Sequence, residues 1–336
     1  MNFAADRHQP EIFAFVPSYN HASFVEKCLK SIINQTLAPK KLLVIDDGSK
    51  DDSPKLIERI LRECPFEAEF VARENRGLCA TLNEGFARAD GDFFAYLSSD
   101  DVWFPEFLEN RYALLENRPS AVLAFGHGFL IDEFDRIIDR TDDWTDFADG
   151  AMLPHLLRGR IFPSASVVYR RSALAKHAWN ENSRLEDYEL YLKLAADGEF
   201  AFDPQILCAW RQHGSNVSGD FPLMLREWLA AQNRAADRLK MSRAELDKTQ
   251  SKLKFDAVLS YIRHGRRSEG FKLFCENLSG AESLAQIGKT LFRLAVPAPL
   301  FDWNRKRKRR EMTERYGKLD LTRKYRKDYK AGEKAF

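Results

Sequence analysis

The chain has 336 residues, of which 44% are hydrophobic, and its 52 Lys and Arg nearly balance its 50 Asp and Glu. This composition predicts a folded globular protein with one large domain and an appendage, and it excludes a disordered chain. Five cysteines without CxxC spacing argue against a disulfide framework and a zinc site. Residues 1–10 lack a signal pattern and no stretch is apolar enough to span a membrane, so we expect a cytoplasmic protein.

Positive charge is concentrated at the C-terminal end of the chain. Residues 304–336 contain 14 Lys or Arg and 5 Asp or Glu, so residues 1–303 carry a net charge of −7. Together with the helix-forming composition that begins at residue 221, this predicts three segments. They are a catalytic-type domain at 1–220, a helical appendage at 221–303 and a basic tail at 304–336.

Apolar strands alternate with amphipathic helices through the first hundred residues. Each strand is a short run of β-branched and aromatic residues, and apolar residues at helical spacing follow the first three. Ser49 and Asp52 resemble a capping box at the start of the second helix. The alternation predicts an α/β fold with a mostly parallel sheet and helices on both faces. The strands are expected at 11–16, 42–45, 69–71 and 93–97, and the later runs 121–125 and 128–138 alternate like short strands around turns.

A polar cluster follows each of these strands. Because the carboxyl ends of parallel strands meet at one edge of a sheet, the four clusters should line one crevice. Tyr19 offers a flat face for a base, Asp47 an acceptor for a ring N–H, and Arg76 a cation for phosphate. The sequence therefore predicts a nucleotide diphosphate site, whereas GxGxxG and P-loop motifs are absent.

Asp100 and Asp101 end the fourth of these strands. Two adjacent carboxylates suit Mg²⁺ or Mn²⁺, which combine one or two carboxylates with substrate phosphates. The alternative is that Asp100 is the N-cap of a helix that starts near Phe104, with Pro105 in its first turn. The residues alone leave both interpretations open.

Four motifs in this order, separated by helices, resemble those of family 2 glycosyltransferases of GT-A fold. The resemblance covers roughly residues 11–219. It implies an inverting, metal-dependent transfer of one sugar from a nucleotide-diphosphate sugar, most readily a UDP- or dTDP-sugar. The implied acceptor is a hydroxyl of a glycan or lipid-linked molecule in cell-surface polysaccharide synthesis. The motifs are VPSYN at 16–20, IDDGS at 45–49, NRG with NEG at 75–77 and 83–85, and LSSDD at 97–101.

The resemblance also implies roles for individual residues. In the family the last Asp of the LSSDD-like motif ligates Mn²⁺ or Mg²⁺, which gives Asp101 that role here. Many members have Asp at the position of Ser98 and Arg at that of Leu82, so contacts made by those side chains are missing or supplied elsewhere. The implied contacts to the donor nucleotide come from Pro17, Tyr19, Asn20, Asp47, Arg76 and Asp100.

Inverting transfer needs a general base for the acceptor hydroxyl. Glu186 and Asp187 begin a predicted helix, where carboxylates are also favoured by the helix dipole alone. The pair matches the family's Glu-Asp motif, which makes Asp187 the predicted base and Glu186 the second choice.

Two further segments supply candidates for the diphosphate and the sugar. Ser164 and Ser166 precede a predicted strand, and the alternative is that small residues simply ease a tight turn. Arg211 and His213 resemble the family's Arg-x-His segment, in which the histidine approaches the metal and the diphosphate. The chain lacks the Gln-x-x-Arg-Trp motif of processive synthases, so we expect one sugar per encounter.

The C-terminal region combines an apolar stripe near 284–295, Trp303 and the cationic run 305–310. This combination is typical of a peripheral membrane protein and predicts a membrane contact through 284–336, at the cytoplasmic face. A packed helix with a solvated basic tail is the alternative, and no nucleic acid is expected because no nucleic-acid-binding fold accompanies the cations. Two rival functions also remain, a nucleotidyltransferase and a non-catalytic sugar-nucleotide-binding protein.

Overall fold

The computed structural model describes residues 11–145, 147–214, 216 and 219–323. Its first part is the predicted alternation of strands and helices, and strands β1 to β4 pair in parallel in the order β3-β2-β1-β4. In chain order the elements are β1 (Ile12–Ser18), α1 (Val25–Ile33), β2 (Lys41–Asp46), α2 (Ser53–Leu61), β3 (Glu67–Ala72), α3 (Leu78–Ala87) and β4 (Phe93–Tyr96).

The second part extends the same sheet with antiparallel as well as parallel neighbours. β8 pairs antiparallel to β4, and the sheet continues β8-β6-β9-β5, with β7 on β6. The elements are β5 (Val102–Trp103), α4 (Phe107–Asn117), β6 (Ala121–Asp132), β7 (Ile137–Arg140), α5 (Leu153–Leu157), β8 (Val168–Arg170), α6 (Arg171–Leu174), α7 (Asp187–Asp197) and β9 (Glu199–Gln212).

Both faces of this sheet are covered, as the near-continuous apolar strands predicted. Phe13 and Phe15 of β1 pack in a core with residues of α3 and α7. Ile12, Ala14 and Val16 point the other way and pack with residues of α1, α2 and α4. Successive side chains of a strand alternate between faces, so one strand serves both cores. The predicted α/β fold with helices on both faces is confirmed.

Two local predictions are corrected. Ser49 does not form a capping box, because its hydroxyl donates to Asp46 at 2.6 Å, and α2 begins at Ser53 without a side-chain cap. The runs 121–125 and 128–138, predicted as short strands around turns, form mainly the long buried strand β6. Gly126 lies inside that strand because a Cβ there would come within 2.3 Å of the Arg111 guanidinium. Close approach of a buried side chain, and not a turn, explains this glycine.

Among the described residues, five α-helices follow β9: α8 (Phe221–Ala235), α9 (Arg243–Arg263), α10 (Arg267–Glu276), α11 (Leu284–Ala295) and α12 (Ala298–Tyr316). Trp228 of α8 and Leu253 of α9 belong to the same core as Tyr188 of α7. The Tyr188 hydroxyl donates to the carbonyl of Leu156 at 2.9 Å and accepts from Gln232 at 2.9 Å. The predicted boundary after residue 220 therefore does not coincide with a break in the core.

The predicted boundary at residue 304 falls inside α12, so the cationic run 305–310 is helical and not a tail. α12 packs back onto β7, where the Thr313 hydroxyl donates to the carbonyl of Ile137 at 3.1 Å. Residues 324–336 of the predicted tail lie outside the described residues. Within the described part of the chain, no helix is both long and apolar enough to cross a membrane.

Candidate active site

The loops that follow β1, β2, β3 and β4 are joined by hydrogen bonds into one crevice at the carboxyl edge of the sheet. The N–H of Asn20 donates to the Ser49 hydroxyl at 2.7 Å, and the Asn20 side chain accepts from the N–H of Lys50 at 2.7 Å. The ring of His21 contacts the Ser99 hydroxyl at 2.8 Å. Asn20 therefore fixes the crevice wall, with its backbone at a φ of 53°, and its predicted contact with a nucleotide stays a prediction.

Asp47 is held by the loop that follows β3. Its carboxylate accepts from the N–H groups of Arg76 at 2.8 Å and Gly77 at 2.9 Å, and also from the Arg73 guanidinium. Arg73 in turn donates to Glu84 at 2.9 Å. Sequence reasoning singled out Arg76 and missed Arg73. The Arg76 side chain is 58% exposed, and its guanidinium lies 3.4 Å from the Glu84 carboxylate.

The remaining residues predicted to hold a base differ in exposure. The Tyr19 side chain is 46% exposed at the rim of the crevice, as a stacking platform requires. Pro17 lies within β1 and its carbonyl accepts from the N–H of Ser99 at 3.3 Å. The ring of Tyr19 is therefore open to solvent, whereas Pro17 is fixed in the strand.

Asp100 is the centre of the site. Its carboxylate lies 2.9 Å from Nε2 of His213 and 3.8 Å from Nδ1 of His21. The ligand atoms of these three residues lie within 4.8 Å of one another. α4 begins at Phe107 with Glu106 at its N-cap position, so the interpretation of Asp100 as a helix cap is wrong. Sequence reasoning missed His21, which follows Asn20 without a recognisable motif.

The protonation of this group suits a cation. Burial acts to raise the pKa of Asp100, but the hydrogen bond with His213 and the charges of His21 and His213 outweigh it and hold that pKa below its ordinary value. Burial lowers the pKa of His21, which favours the neutral imidazole that ligates metals. One carboxylate and two imidazoles therefore fit a divalent cation.

Asp101 and Arg211 are both turned into the protein. Asp101 accepts from the N–H of Arg211 at 2.8 Å, and burial together with the charge of Asp100 raises its pKa well above the ordinary value. The Arg211 guanidinium donates to the carbonyls of Asp100 and Asp132, each at 2.8 Å, and pairs with Asp135 at 2.7 Å. Arg211 is 1% exposed. The prediction that Arg211 contacts the diphosphate is therefore corrected: it braces the aspartate pair.

Glu186 and Asp187 begin α7 and are half-buried. Burial, with the charge of Asp100 adding to it, raises the pKa of Glu186. Burial and the Glu186 carboxylate raise the pKa of Asp187 well above its ordinary value. The contribution of Asp100 to the pKa of Glu186 indicates that these two carboxylates lie within electrostatic range of each other. A raised pKa is what a general base that works near neutral pH requires.

Buried aromatic residues lie behind this second pair. Tyr96 and Tyr169 stack with ring centroids 6.3 Å apart, and both rings contact Trp179. The Tyr96 hydroxyl is buried and has no hydrogen-bond partner among the described residues, although Glu186 and Ser164 lie near it. Tyr96 was read from the sequence only as part of an apolar strand. Its hydroxyl would have been found only from the fold.

The two predicted serines differ in position. Ser164 is half-buried beside Tyr96 and remains a candidate for the sugar. Ser166 is fully buried, and its hydroxyl donates to the carbonyl of Pro163 at 2.7 Å. The prediction for Ser166 is corrected, and the alternative, that it eases a tight turn, is the one that the structure supports.

Comparison with known proteins gives a consistent result. Residues 13–177 match the family model for glycosyl transferase family 2. An uncharacterized glycosyltransferase of Nostoc sp. (strain PCC 7120) is 27% identical over 175 residues, which are 49% of this chain and 52% of that protein. The chondroitin synthase of Escherichia coli is 27% identical over 216 residues, 62% of this chain and 30% of that protein. The chain thus spans about half or less of the length of these relatives.

Solved structures share the fold. TarS 1-349 of S. aureus in complex with UDP-GlcNAc has a TM-score of 0.58 at 17% identity, over 92% of this chain and 93% of that one. The mannosyltransferase PcManGT from Pyrobaculum calidifontis, in complex with GDP-Man and Mn²⁺, has a TM-score of 0.59 at 17% identity, over 93% and 89%. These likenesses confirm the α/β GT-A fold.

Proposed function

The chain belongs to glycosyl transferase family 2 through residues 13–177, and we propose that it is an inverting glycosyltransferase that moves one sugar from a nucleotide-diphosphate sugar to an acceptor hydroxyl. The observation that carries the proposal is the Asp100 carboxylate, 2.9 Å from His213 and 3.8 Å from His21. A second carboxylate pair, Glu186 and Asp187, has raised pKa values, and the charge of Asp100 contributes to that of Glu186, which supports the proposal.

The donor nucleotide occupies the crevice formed by the loops after β1 to β4. The base stacks on the open ring of Tyr19, and the fixed carboxylate of Asp47 accepts from its N–H. The exposed guanidinium of Arg76 is available to the diphosphate. Relatives of this fold bind UDP-GlcNAc and GDP-Man, and we propose a UDP- or dTDP-sugar here.

His21, Asp100 and His213 would hold a divalent cation, which supplies charge neutralisation for the leaving diphosphate. Because two of the three ligands are imidazole nitrogens, this set favours Mn²⁺ over Mg²⁺. Asp101 remains a predicted ligand that this cluster does not include. PcManGT was solved with GDP-Man and Mn²⁺, which supports a manganese site in this fold.

Asp187 takes the proton of the acceptor hydroxyl as that oxygen attacks the anomeric carbon from the face opposite the diphosphate. The new bond joins the acceptor oxygen to the anomeric carbon, and the bond from that carbon to the diphosphate oxygen breaks. The configuration inverts, and nucleoside diphosphate leaves. Glu186, beside the Tyr96 hydroxyl, is the alternative base.

We further propose that the acceptor is a glycan or lipid-linked molecule of cell-surface polysaccharide synthesis, at the cytoplasmic face of a membrane. The chondroitin synthase relative supports a glycan acceptor. The chain lacks the motif of processive synthases, which supports one sugar per encounter.

The test is to incubate the protein with UDP-, dTDP- and GDP-sugars, Mn²⁺ and a lipid-linked glycan extract, and to identify the released phosphate compound. We expect nucleoside diphosphate from one donor, and Asp187→Asn should lower its release at least 100-fold without weakening donor binding, since general-base catalysis contributes roughly 10²–10⁴-fold. Asp197→Asn, at the other end of α7, is the matched control and should retain activity.

Other products would support the rival functions. Pyrophosphate instead of nucleoside diphosphate would identify a nucleotidyltransferase. Donor binding without any release, unaltered in Asp187→Asn, would identify a non-catalytic sugar-nucleotide-binding protein.

A further inference from the structure

α11 has one face inside the protein and one face outside it. Ile287 and Leu294 pack against the small core that Phe255 and Val258 of α9 form, and Thr290 between them is buried. These three residues follow one another at helical spacing, so they define the inner face. The opposite side of α11 is therefore presented to solvent.

One exposed sector of α11 is apolar, and the exposed Lys289 and Arg293 lie beside it on the outer side of the helix. At about 100° per residue, the residues of this sector span roughly 120°. Leu284 is 85% exposed and Phe292 is 71% exposed. Large apolar side chains that form a continuous exposed face indicate an interaction site. The sector contains Leu284, Ala285, Gly288, Leu291, Phe292 and Ala295.

The first turns of α12 continue this face. Val296 and Pro297 alone separate the two helices, and Phe301 packs against the same small core as Ile287. Leu300 and Trp303 remain exposed, at 55% and 59%. The Arg267 guanidinium donates to the carbonyls of Leu294 and Val296 and so fixes the junction. Both helices thus turn apolar residues away from a shared core.

In the sequence of α12, cationic residues come directly after these exposed apolar residues. Lys306 and Arg310 are exposed, and within the described part of the chain neither of them forms an ion pair. By contrast, Lys308 pairs with Asp139 at 3.1 Å and faces the protein. Lys306 and Arg310 follow Trp303 at helical spacing, so these two unpaired cations lie on the side of α12 that carries Trp303.

We propose that the outer face of α11, with Leu300, Trp303 and the unpaired cations of α12, docks onto an anionic lipid bilayer. We call these residues the docking surface. A helix that lies in the plane of a bilayer buries an apolar face while cations reach the headgroups, and tryptophan favours that interface. The surface is independent of the catalytic proposal, because none of its residues belongs to the crevice.

Other occupants fit the docking surface less well. Residues 324–336 contain five Lys or Arg and two Asp or Glu, so they do not complement a basic helix. A nucleic acid would use the cations, but it would leave the apolar face of α11 without a partner. The ring of Trp303 is also covered by the Arg307 guanidinium at 5.2 Å, which removes one face from base stacking.

The test is co-sedimentation of the full chain with vesicles, either of phosphatidylcholine alone or of phosphatidylglycerol and phosphatidylcholine in equal parts. We expect binding to the anionic vesicles only. Lys306→Gln and Arg310→Gln together should weaken partitioning about 25-fold, since each cation contributes about 1 kcal/mol, or fivefold. Lys55→Gln and Arg62→Gln, in α2 and directly after it, remove the same charge elsewhere and should retain binding.

A second pair of variants tests the apolar face. Phe292→Ser should abolish sedimentation, whereas Phe271→Ser, which replaces the exposed phenylalanine of α10, should not. The melting temperatures of both variants should match that of the wild type, since both side chains are exposed. Equal binding by all variants, no binding to anionic vesicles, or displacement of the vesicles by a single-stranded oligonucleotide would overturn the proposal.

Discussion

At the scale of single residues, the site depends on a contact between distant parts of the chain. His21 follows β1 and His213 follows β9, yet both rings approach the carboxylate of Asp100. The ring of Phe24 stacks on His213 with a centroid distance of 5.1 Å. The geometry of the candidate cation site is therefore built by packing on three loops and not by any one motif.

Asp187→Asn should stabilise the protein at neutral pH. Burial and Glu186 raise the pKa of Asp187 in the folded state, so ionisation at high pH opposes folding. In the wild type, the contribution of protonated Asp187 to stability is fully present below the ordinary pKa of an aspartate. It is lost as the pH rises through the raised pKa. Each unit of elevation corresponds to about 1.4 kcal/mol in the free energy of unfolding.

Urea unfolding of wild type and Asp187→Asn at acidic and neutral pH measures this difference. The variant should gain stability as the pH rises and show no gain below the ordinary aspartate pKa. A constant difference across the range would mean that Asp187 titrates normally in the folded protein.

The sequence indicated candidate site residues where short motifs surround them, and it failed where the position of a side chain depends on folding. Asp47, Asp100 and Asp187 lie in such motifs. His21 has none, and its role appears only when the end of β1 is brought against the loop after β4. Arg211 looked like a free cation because nothing in the sequence reveals the carbonyls that surround its guanidinium.

At the scale of elements, a buried ion pair joins α4 to β9. Arg111 is fully buried and donates to Asp203 at 2.6 Å and to the carbonyl of Ser166 at 3.0 Å. Gly126 of β6 makes room for its guanidinium. Removing one partner of a buried pair leaves the other charge uncompensated in a low-dielectric interior.

Asp203→Ala should therefore lower the free energy of unfolding by about 3–5 kcal/mol. The double variant Arg111→Met with Asp203→Ala should recover part of this loss, since it leaves no buried charge. Chemical denaturation of the single and double variants measures both values. A single variant within 1 kcal/mol of the wild type, on the order of an exposed pair, would contradict a structural role for the pair.

Element prediction from the sequence was accurate where the pattern is local. The alternation of strand and helix through residue 97 follows from apolar periodicity, and it was found correctly. β6 was divided wrongly because its glycines resemble turn signals. The helical state of residues 305–310 was missed because their charge suggested a solvated tail, whereas Met312 and Tyr316 anchor the helix to β7 and its neighbours.

At the scale of the whole molecule, the C-terminal helices and the site form one folded unit. Met312 and Leu319 are buried in the same core as Trp103 of β5. The carbonyl of Asp135 accepts from the N–H of Leu319 at 2.7 Å, and its carboxylate pairs with Arg211. The end of the described chain is thus linked through Asp135 to the residue that braces the aspartate pair.

Truncation after residue 297 should therefore lower the melting temperature of the whole protein in a single transition. It removes α12 and exposes the apolar surface around Ile137 and Phe129. Differential scanning calorimetry of the truncated and full chains measures this effect. A truncated chain with an unchanged main transition would show that the C-terminal helix folds apart from the catalytic core.

The proposed nucleotide and cation site is tested most directly by the thermal stability of the full chain in the presence of UDP, dTDP, GDP or CMP, each with and without Mn²⁺. We expect one diphosphate to stabilise the protein only with Mn²⁺, by about 2.7 kcal/mol at ~100 times its dissociation constant. His213→Ala and His21→Ala should lose this gain, while His177→Ala, outside the crevice, should keep it. Stabilisation that needs no metal, or that survives both site substitutions, would contradict the assignment of His21, Asp100 and His213.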